Sequence, residues 1–152
     1  MDTDSFLETL RQFYLGFSPH TSDCGLRITT LSADQATLEL PSREDWLGDI
    51  DSGRFNPGII SVLVDSTAGL SVLARAGQRE TIATLDLRTD YLRPAFIGAS
   101  VFCSARCIRM TRSIAFVHAT VWQDDEQAPV ATAQAVFMRS GVPSELSSGA
   151  PA

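Results

Sequence analysis

An acidic residue stands in the middle of the most apolar helix-length segment of this chain. Asp65 lies within residues 58–73, where most other side chains are aliphatic or small. An ionised carboxylate in apolar surroundings costs free energy unless another group pairs with it or uses it. Catalysis is one such use, because a carboxylate can take a proton from water or attack an electrophile directly. Asp65 is therefore the first candidate functional residue.

The start of the same segment offers a second chemical feature. Asn56 is a good N-cap and Pro57 is a good first helical residue. The first turn of a helix has unpaired N–H groups at the positive end of its dipole, so it can polarise a carbonyl oxygen or hold an anion. Pro57 has no N–H to contribute, and the Asn56 side chain competes for the N–H of Gly58 or Ile59. These residues therefore reduce the set of available donors.

Helical spacing predicts a stripe of small and polar residues on the face that carries Asp65. The stripe consists of Ser61, Asp65, Ala68, Gly69 and Val72. The other faces carry large aliphatic side chains that suit packing into a sheet. The small face leaves room for a partner chain or a substrate to approach Asp65. The alternative is that this face meets solvent, where an aspartate would be ordinary.

Composition limits the classes of partner. The chain has 152 residues, 44% of them hydrophobic, a net charge of -6, and twelve arginines with no lysine. This length and apolar fraction predict one globular domain with a real core. An acidic chain with scattered arginines is a poor binder of nucleic acid or of a membrane surface. Arginine can still hold a phosphate group through its planar fork of donors.

The cysteines and histidines do not form a metal-binding pattern. Cys103 and Cys107 lie four apart in a strand-like run, which predicts one shared face but too long a span for a disulfide. We expect both, and Cys24, to be reduced and largely buried. His20 and His118 have no ligand spacing, so no metal or other cofactor is predicted. His118 is interpreted as a structural histidine of a strand.

Periodicity predicts the order helix, two strands, long helix, four strands. The first helix is expected over 4–15 with Asp4 or Ser5 as its cap, and the long helix from Pro57 to a stop at Gly77. The strands are expected at 26–31, 36–40, 81–92, 100–110, 114–123 and 130–138, with a turn at 18–23 and a polar loop at 41–55. A long helix that is hydrophobic nearly all round must be enclosed, most simply by an antiparallel sheet. We therefore predict a single α+β domain over residues 1–140 and a loose tail over 141–152.

The chain is expected to be cytoplasmic. Ser61, Asp65, Ser66 and Thr67 interrupt the apolar helix, which argues against a membrane span. The acidic start lacks a basic region before an apolar one, so no secretion signal is predicted.

Three segments resemble one enzyme family. Residues 56–69, Asn-Pro-Gly-Ile-Ile-Ser-Val-Leu-Val-Asp-Ser-Thr-Ala-Gly, resemble the His-Gly-Gly…Asp helix of hotdog-fold acyl-CoA thioesterases of the phenylacetate-pathway (PaaI-like) type. Residues 83–95 resemble the strand of that family that ends in Tyr-Leu-Arg-Pro-Ala. Residues 107–116 resemble its Arg-rich turn followed by Ala-Phe. The resemblance covers the chain from about Cys24 to Met138.

The resemblance implies a hotdog fold, in which a five- or six-stranded sheet wraps one long helix. It also implies dimers that join their sheets side by side, often paired into tetramers, with the active site between subunits. The implied reaction is hydrolysis of an acyl-CoA thioester. Asp65 matches the catalytic carboxylate, and Thr84 matches a position whose hydroxyl helps to place the water or the carboxylate. Arg93, Arg109 and Arg112 match places that contact coenzyme A phosphates; solvated surface charges are the alternative.

The match departs from the family at the start of the helix. The His-Gly-Gly of the family is Asn56-Pro57-Gly58 here, and Pro57 cannot supply the N–H that usually polarises the thioester oxygen. Loss of one such donor slows a reaction by about 10²–10³. An Asn that the family often carries six residues earlier corresponds to Ile50. The Gly58 N–H or the Asn56 amide is the candidate replacement donor.

Two other functions remain open from the sequence. A non-catalytic hotdog protein would bind acyl-CoA or act as an assembly module, and would have lost hydrolytic activity with the appearance of Pro57. A dehydratase of the same architecture is disfavoured. Residues 55–58, Phe-Asn-Pro-Gly, only partly resemble the hydratase motif Asp-x-Asn-Pro-x-His, and Arg54 and Ile59 replace its two catalytic groups.

Overall fold

A long helix and a six-stranded antiparallel sheet make up the fold in the computed structural model, which describes residues 2–142. Most of the tail expected over 141–152 therefore lies outside the described residues. The helices are α1 (Thr3–Phe13), α2 (Pro19–Asp23) and α3 (Pro57–Ala76), with 3₁₀ turns at Tyr14–Gly16 and Glu44–Trp46. The strands are β1 (Arg27–Leu31), β2 (Ala36–Leu40), β3 (Leu47–Asp49), β4 (Arg54–Phe55), β5 (Ile82–Tyr91), β6 (Val101–Met110), β7 (Ile114–Trp122) and β8 (Ala131–Arg139).

The sheet has the strand order β1-β2-β6-β7-β8-β5, and every neighbouring pair is antiparallel. Side chains along β6, β7 and β8 point alternately to the inner and the outer face of the sheet, and those on the inner face are buried. Many of those inner residues are alanines, which let the sheet approach the helix closely. The predicted α+β fold, with an antiparallel sheet wrapped around one long helix, is confirmed. β1 and β5 are the two edges of the sheet.

The ends of α3 are fixed by the residues that the sequence indicates. The Asn56 side chain accepts a hydrogen bond from the N–H of Gly58 at 2.8 Å, and Pro57 opens the helix. Gly77 ends it with a φ of +67°, which glycine adopts without strain, and its N–H bonds the Leu73 carbonyl. α3 is long and apolar enough to cross a membrane by composition alone, yet 67% of that segment is buried inside the fold. Such burial is typical of a core helix.

Three local predictions were wrong. α1 is capped by Asp2, which accepts from the N–H of Ser5 at 2.8 Å, rather than by Asp4 or Ser5. The expected turn at 18–23 contains the short helix α2. The expected loop at 41–55 contains the two-stranded pair β3–β4, whose strands of three and two residues are too short to show a period. A backbone bond from Asn56 to Trp46 ties this pair to the start of α3.

A buried ion pair fixes one end of the sheet. Arg139 Nε and Nη2 donate to the two carboxylate oxygens of Glu80 at 2.6 and 2.8 Å, and Arg139 Nη1 donates to the carbonyl of Thr111. The Glu80 side chain is fully buried and that of Arg139 is 11% exposed. The pair therefore joins the turn after α3, the end of β8 and the β6–β7 hairpin.

We predict that Arg139→Met lowers the free energy of unfolding by about 3–5 kcal/mol, because it leaves the Glu80 carboxylate buried without a charged partner. Urea denaturation followed by tryptophan fluorescence measures the change. Arg88→Met is the matched control, since Arg88 and Asp90 form an exposed pair whose loss costs about 1 kcal/mol or less. Equal destabilisation by the two variants would contradict the role given to the buried pair.

Candidate active site

The Asp65 carboxylate is held by a hydroxyl group from the edge strand. Thr84 Oγ1, on β5, donates a hydrogen bond of 2.7 Å to Asp65 Oδ1. Asp65 is half-buried and Thr84 is exposed, so this pair can be reached from outside the chain. One carboxylate oxygen is fixed by the threonine, and within residues 2–142 the other makes no hydrogen bond. The arrangement leaves a positioned proton acceptor at the surface of a largely apolar helix.

A β-bulge lets β5 place two hydroxyl side chains against α3. Thr84 and Tyr91 are seven residues apart, an odd separation that would put them on opposite faces of a regular strand. The register shifts between Thr84 and Asp86, so Thr84 pairs with Phe137 and Tyr91 with Ala131, both inner residues of β8. The Tyr91 hydroxyl donates to the Pro57 carbonyl at 3.1 Å. Tyr91 was not among the predicted site residues, although it is the tyrosine of the Tyr-Leu-Arg-Pro-Ala segment.

The start of α3 is open but short of backbone donors. Asn56, Pro57 and Gly58 are all exposed. The Gly58 N–H is occupied by Asn56 Oδ1, and the Ile59 N–H bonds the Asn56 carbonyl at 3.2 Å. The bond from Gly58 identifies the oxygen of the Asn56 amide, so its NH₂ group is directed elsewhere. That NH₂ group has no hydrogen-bond partner in the described part of the chain, which makes it a candidate donor at this turn.

Only half of the small-residue stripe is open. Ser61 and Asp65 are half-buried, and the Tyr91 hydroxyl lies 3.4 Å from Ser61 Oγ. Ala68, Gly69 and Val72 are buried by the chain itself. The solvent-facing alternative is therefore wrong for these last residues, and an approach to α3 is confined to its N-terminal half.

The three candidate phosphate-binding arginines do not meet within one chain. All three are exposed, and none forms an ion pair among residues 2–142. Arg93 follows the end of β5, on the side where α3 begins. Arg109 and Arg112 lie at the β6–β7 hairpin, next to the start of β5. Because β5 has ten residues, the two groups are separated by about 30 Å along the strand.

The remaining candidates lie away from Asp65. Cys24, Cys103 and Cys107 are buried free thiols, as predicted, and burial raises the pKa of Cys103 to about 12. Across residues 2–142, no three His, Cys, Asp or Glu side chains lie close enough together to hold a metal ion. His118 is exposed on the outer face of the sheet, where it pairs in register with Arg106. Its interpretation as a structural histidine rather than a base stays a prediction.

Comparison with known proteins identifies the family. A profile of the thioesterase superfamily matches residues 52–130, just over half of the chain and the whole of α3 and β5. A solved protein from Pseudomonas aeruginosa is 34% identical, with a TM-score of 0.78 over 88% of this chain and 98% of that one. This chain belongs to the thioesterase superfamily. No curated protein matches it significantly.

Other members of the superfamily share the same fold. A mutant of the phenylacetic acid degradation protein PaaI from Thermus thermophilus is 26% identical, with a TM-score of 0.69 over 80% of this chain and 98% of that one. A thioesterase from Haemophilus influenzae is 20% identical, with a TM-score of 0.74 over 88% and 89% of the two chains. The resemblance to the hotdog thioesterases seen in the sequence is thus confirmed at the level of family and fold.

We predict a measurable coupling between the Thr84 hydroxyl and the Asp65 carboxylate. A double-mutant cycle of Thr84→Val and Asp65→Ala, followed by urea denaturation, should give a coupling of about 1 kcal/mol, since the bond is charge-assisted but accessible to water. Thr84→Ser keeps the hydroxyl and should retain most of this coupling. A coupling indistinguishable from zero would show that the hydrogen bond does not position the carboxylate.

Proposed function

We propose that this protein hydrolyses acyl-CoA thioesters to the free acid and coenzyme A, with Asp65 as the catalytic carboxylate. The observation that carries the proposal is the half-buried Asp65 carboxylate, fixed by Thr84 on the open half of the stripe, two turns after the start of α3. Membership of the thioesterase superfamily supports the reaction class. Thioester hydrolysis needs a proton acceptor or nucleophile beside a donor to the carbonyl oxygen. Asn56 and Asp65 of one chain lie about 13.5 Å apart along α3, so in this proposal Asp65 of one copy acts with the Asn56 amide of a second copy.

The reaction can follow one of two routes from this geometry. In the first, Asp65 takes a proton from water as the water oxygen attacks the thioester carbonyl carbon. In the second, the carboxylate itself attacks to give a mixed anhydride, which water then hydrolyses. In both, the carbon–sulfur bond breaks, the sulfur leaves with the electron pair and receives a proton, and the acid is released. Thr84 acts as a positioning residue because it holds Asp65 rather than the substrate.

In this proposal the Asn56 amide replaces the backbone donor that Pro57 lacks. The Gly58 N–H is already bonded to Asn56 Oδ1, so the role of Gly58 is to orient that amide. The NH₂ group can then donate to the oxygen of a thioester held at Asp65 of the second copy, as negative charge develops on that oxygen. The positive end of the α3 dipole adds to the same stabilisation. Pro57 contributes its fixed φ to the helix start and its carbonyl to the Tyr91 hydroxyl.

We further propose that two copies of the chain complete the site. β5 is an edge strand with exposed apolar side chains, Leu85 at 59% exposure within it and Leu92 at 57% directly after it, and such an edge favours pairing with another strand. If two β5 strands pair antiparallel about a twofold axis, the β6–β7 hairpin of one copy approaches the end of β5 in the other. Arg93 of one chain and the hairpin arginines of the second copy could then share the phosphates of coenzyme A. A cytoplasmic homodimer or homotetramer that binds neither nucleic acid nor membrane is the expected form.

A binding protein without hydrolytic activity is the second candidate. The observation that favours it is the absence of a free backbone donor at Pro57 and Gly58, which removes the usual polarisation of the thioester oxygen. Such a protein would use the same open half of α3 and the same arginines, but would release its acyl-CoA unchanged.

The test of the proposed function is thiol release from a series of acyl-CoA thioesters. We predict that Asp65→Asn lowers kcat by about 10²–10⁴ while it still binds the substrates, because an amide accepts the Thr84 hydrogen bond but cannot take a proton. Binding measured by calorimetry separates lost chemistry from lost affinity. If the unmodified protein released no more thiol than Asp65→Asn from every thioester that it binds, the enzyme proposal would fail in favour of the binding protein.

A second prediction concerns the donor to the thioester oxygen. Asn56→Asp keeps an oxygen that caps Gly58 but loses the NH₂ group, so stability should change little while kcat falls by about 10²–10³. Pro57→Gly supplies a new N–H and should restore part of the lost rate in the Asn56→Asp background. In the unmodified background it should raise the rate or leave it unchanged. Full activity in Asn56→Asp would remove Asn56 from the mechanism.

A further inference from the structure

A tyrosine from the N-terminal segment reaches α3 directly beside Asp65. The Tyr14 hydroxyl donates a hydrogen bond of 2.8 Å to the carbonyl of Ser66, a residue 52 positions away in the sequence. Burial of the hydroxyl and the negative charge of Asp65 both raise the pKa of Tyr14 above its ordinary value. The phenol is therefore a neutral donor at physiological pH, and its ring is fixed at both ends: by α1 through the backbone and by α3 through the hydroxyl.

Gly69 lies where this face of α3 becomes buried. It lies one helical turn beyond Asp65 on the same face. A Cβ atom at Gly69 would lie only 2.9 Å from Tyr14 Oη, 3.5 Å from Ile82 Cδ1 and 3.7 Å from Phe137 Cε1. Side chains from three separate elements thus converge on the one residue of this face that has no side chain.

The direction of the substrate follows from the open and closed ends of this face. In the proposed reaction the thioester carbonyl lies beside Asp65, on the open N-terminal half of this face of α3. Its sulfur must lead to the large coenzyme A group, which needs the exposed side near the start of α3 and Arg93. The acyl group is left to point toward Gly69, and a single turn of about 5.4 Å separates Asp65 from Gly69 along the helix.

We propose that Tyr14, seated on Gly69, sets the maximum length of the acyl group that this protein accepts. The proposal rests on the proposed function, because it takes the acyl group to lie on this face of α3. Tyr14 is then a specificity-determining residue, and Ile82 and Phe137 support it from the sheet. Compact acyl groups fit between Asp65 and the Tyr14 ring, whereas a long straight chain meets the ring.

The experiment measures kcat/KM for acetyl-, butyryl-, hexanoyl-, octanoyl- and decanoyl-CoA. Tyr14→Ala and the more conservative Tyr14→Leu should shift the preferred chain to a longer one, with a gain of roughly tenfold for chains just beyond the limit of the unmodified protein. Tyr14→Leu keeps an apolar side chain against the core and provides the test if Tyr14→Ala does not fold. Phe13→Ala is the matched control, because Phe13 is adjacent in sequence but 49% exposed, and its profile should equal that of the unmodified protein.

Binding of non-hydrolysable thioether analogues with the same chains, measured by calorimetry, separates this inference from the proposed function. If no thioester is hydrolysed but Tyr14→Leu binds longer analogues better, the proposed hydrolysis fails and the role of Tyr14 stands. If thioesters are hydrolysed and both Tyr14 variants keep the profile of the unmodified protein, the hydrolysis stands and the role of Tyr14 is overturned. A profile changed equally by Phe13→Ala would also overturn it.

Discussion

One hydrogen bond between the central helix and the edge of the sheet organises the candidate site. Thr84 on β5 can reach Asp65 on α3 only because the sheet curls around the helix far enough to bring its last strand alongside. β5 and the N-terminal segment cover the C-terminal half of this face of α3, so that only its N-terminal half stays open. The cost of an aspartate within an apolar helix is thereby reduced by a positioned donor and partial access to water.

Much of this architecture could be predicted from the sequence, because periodicity and capping act locally. The six strands of the main sheet, the cap at Asn56 and the stop at Gly77 all follow from residue types at fixed spacing. The bulge in β5 could not be predicted, since one extra residue in a strand leaves the composition unchanged but reverses the faces beyond it. The Tyr14–Ser66 hydrogen bond and the Glu80–Arg139 pair each join residues more than fifty positions apart. Local sequence patterns do not indicate such contacts.

In the proposed function, a side chain at the start of α3 takes over the polarisation of the thioester oxygen from the backbone. Proline at position 57 favours the helix but removes an N–H, and the Asn56 cap occupies the next one. The NH₂ group of the same side-chain amide has no hydrogen-bond partner within residues 2–142, so it can donate to a carbonyl oxygen. Because a side-chain donor is less rigid than a backbone donor, catalysis should depend strongly on how well Gly58 holds Asn56. The same features would also suit a protein that binds thioesters without hydrolysing them.

A crystal structure of the Asp65→Asn variant with an intact acyl-CoA tests the role of Asp65 most directly. If Asp65 is the catalytic carboxylate, the thioester carbonyl carbon should lie within about 3.5 Å of the side chain at position 65, or of a water held by it, with the carbonyl oxygen facing the Asn56 amide of a second copy. The acyl group should then point toward Gly69. A thioester bound away from α3, for example on the outer face of the sheet near His118, would contradict this role.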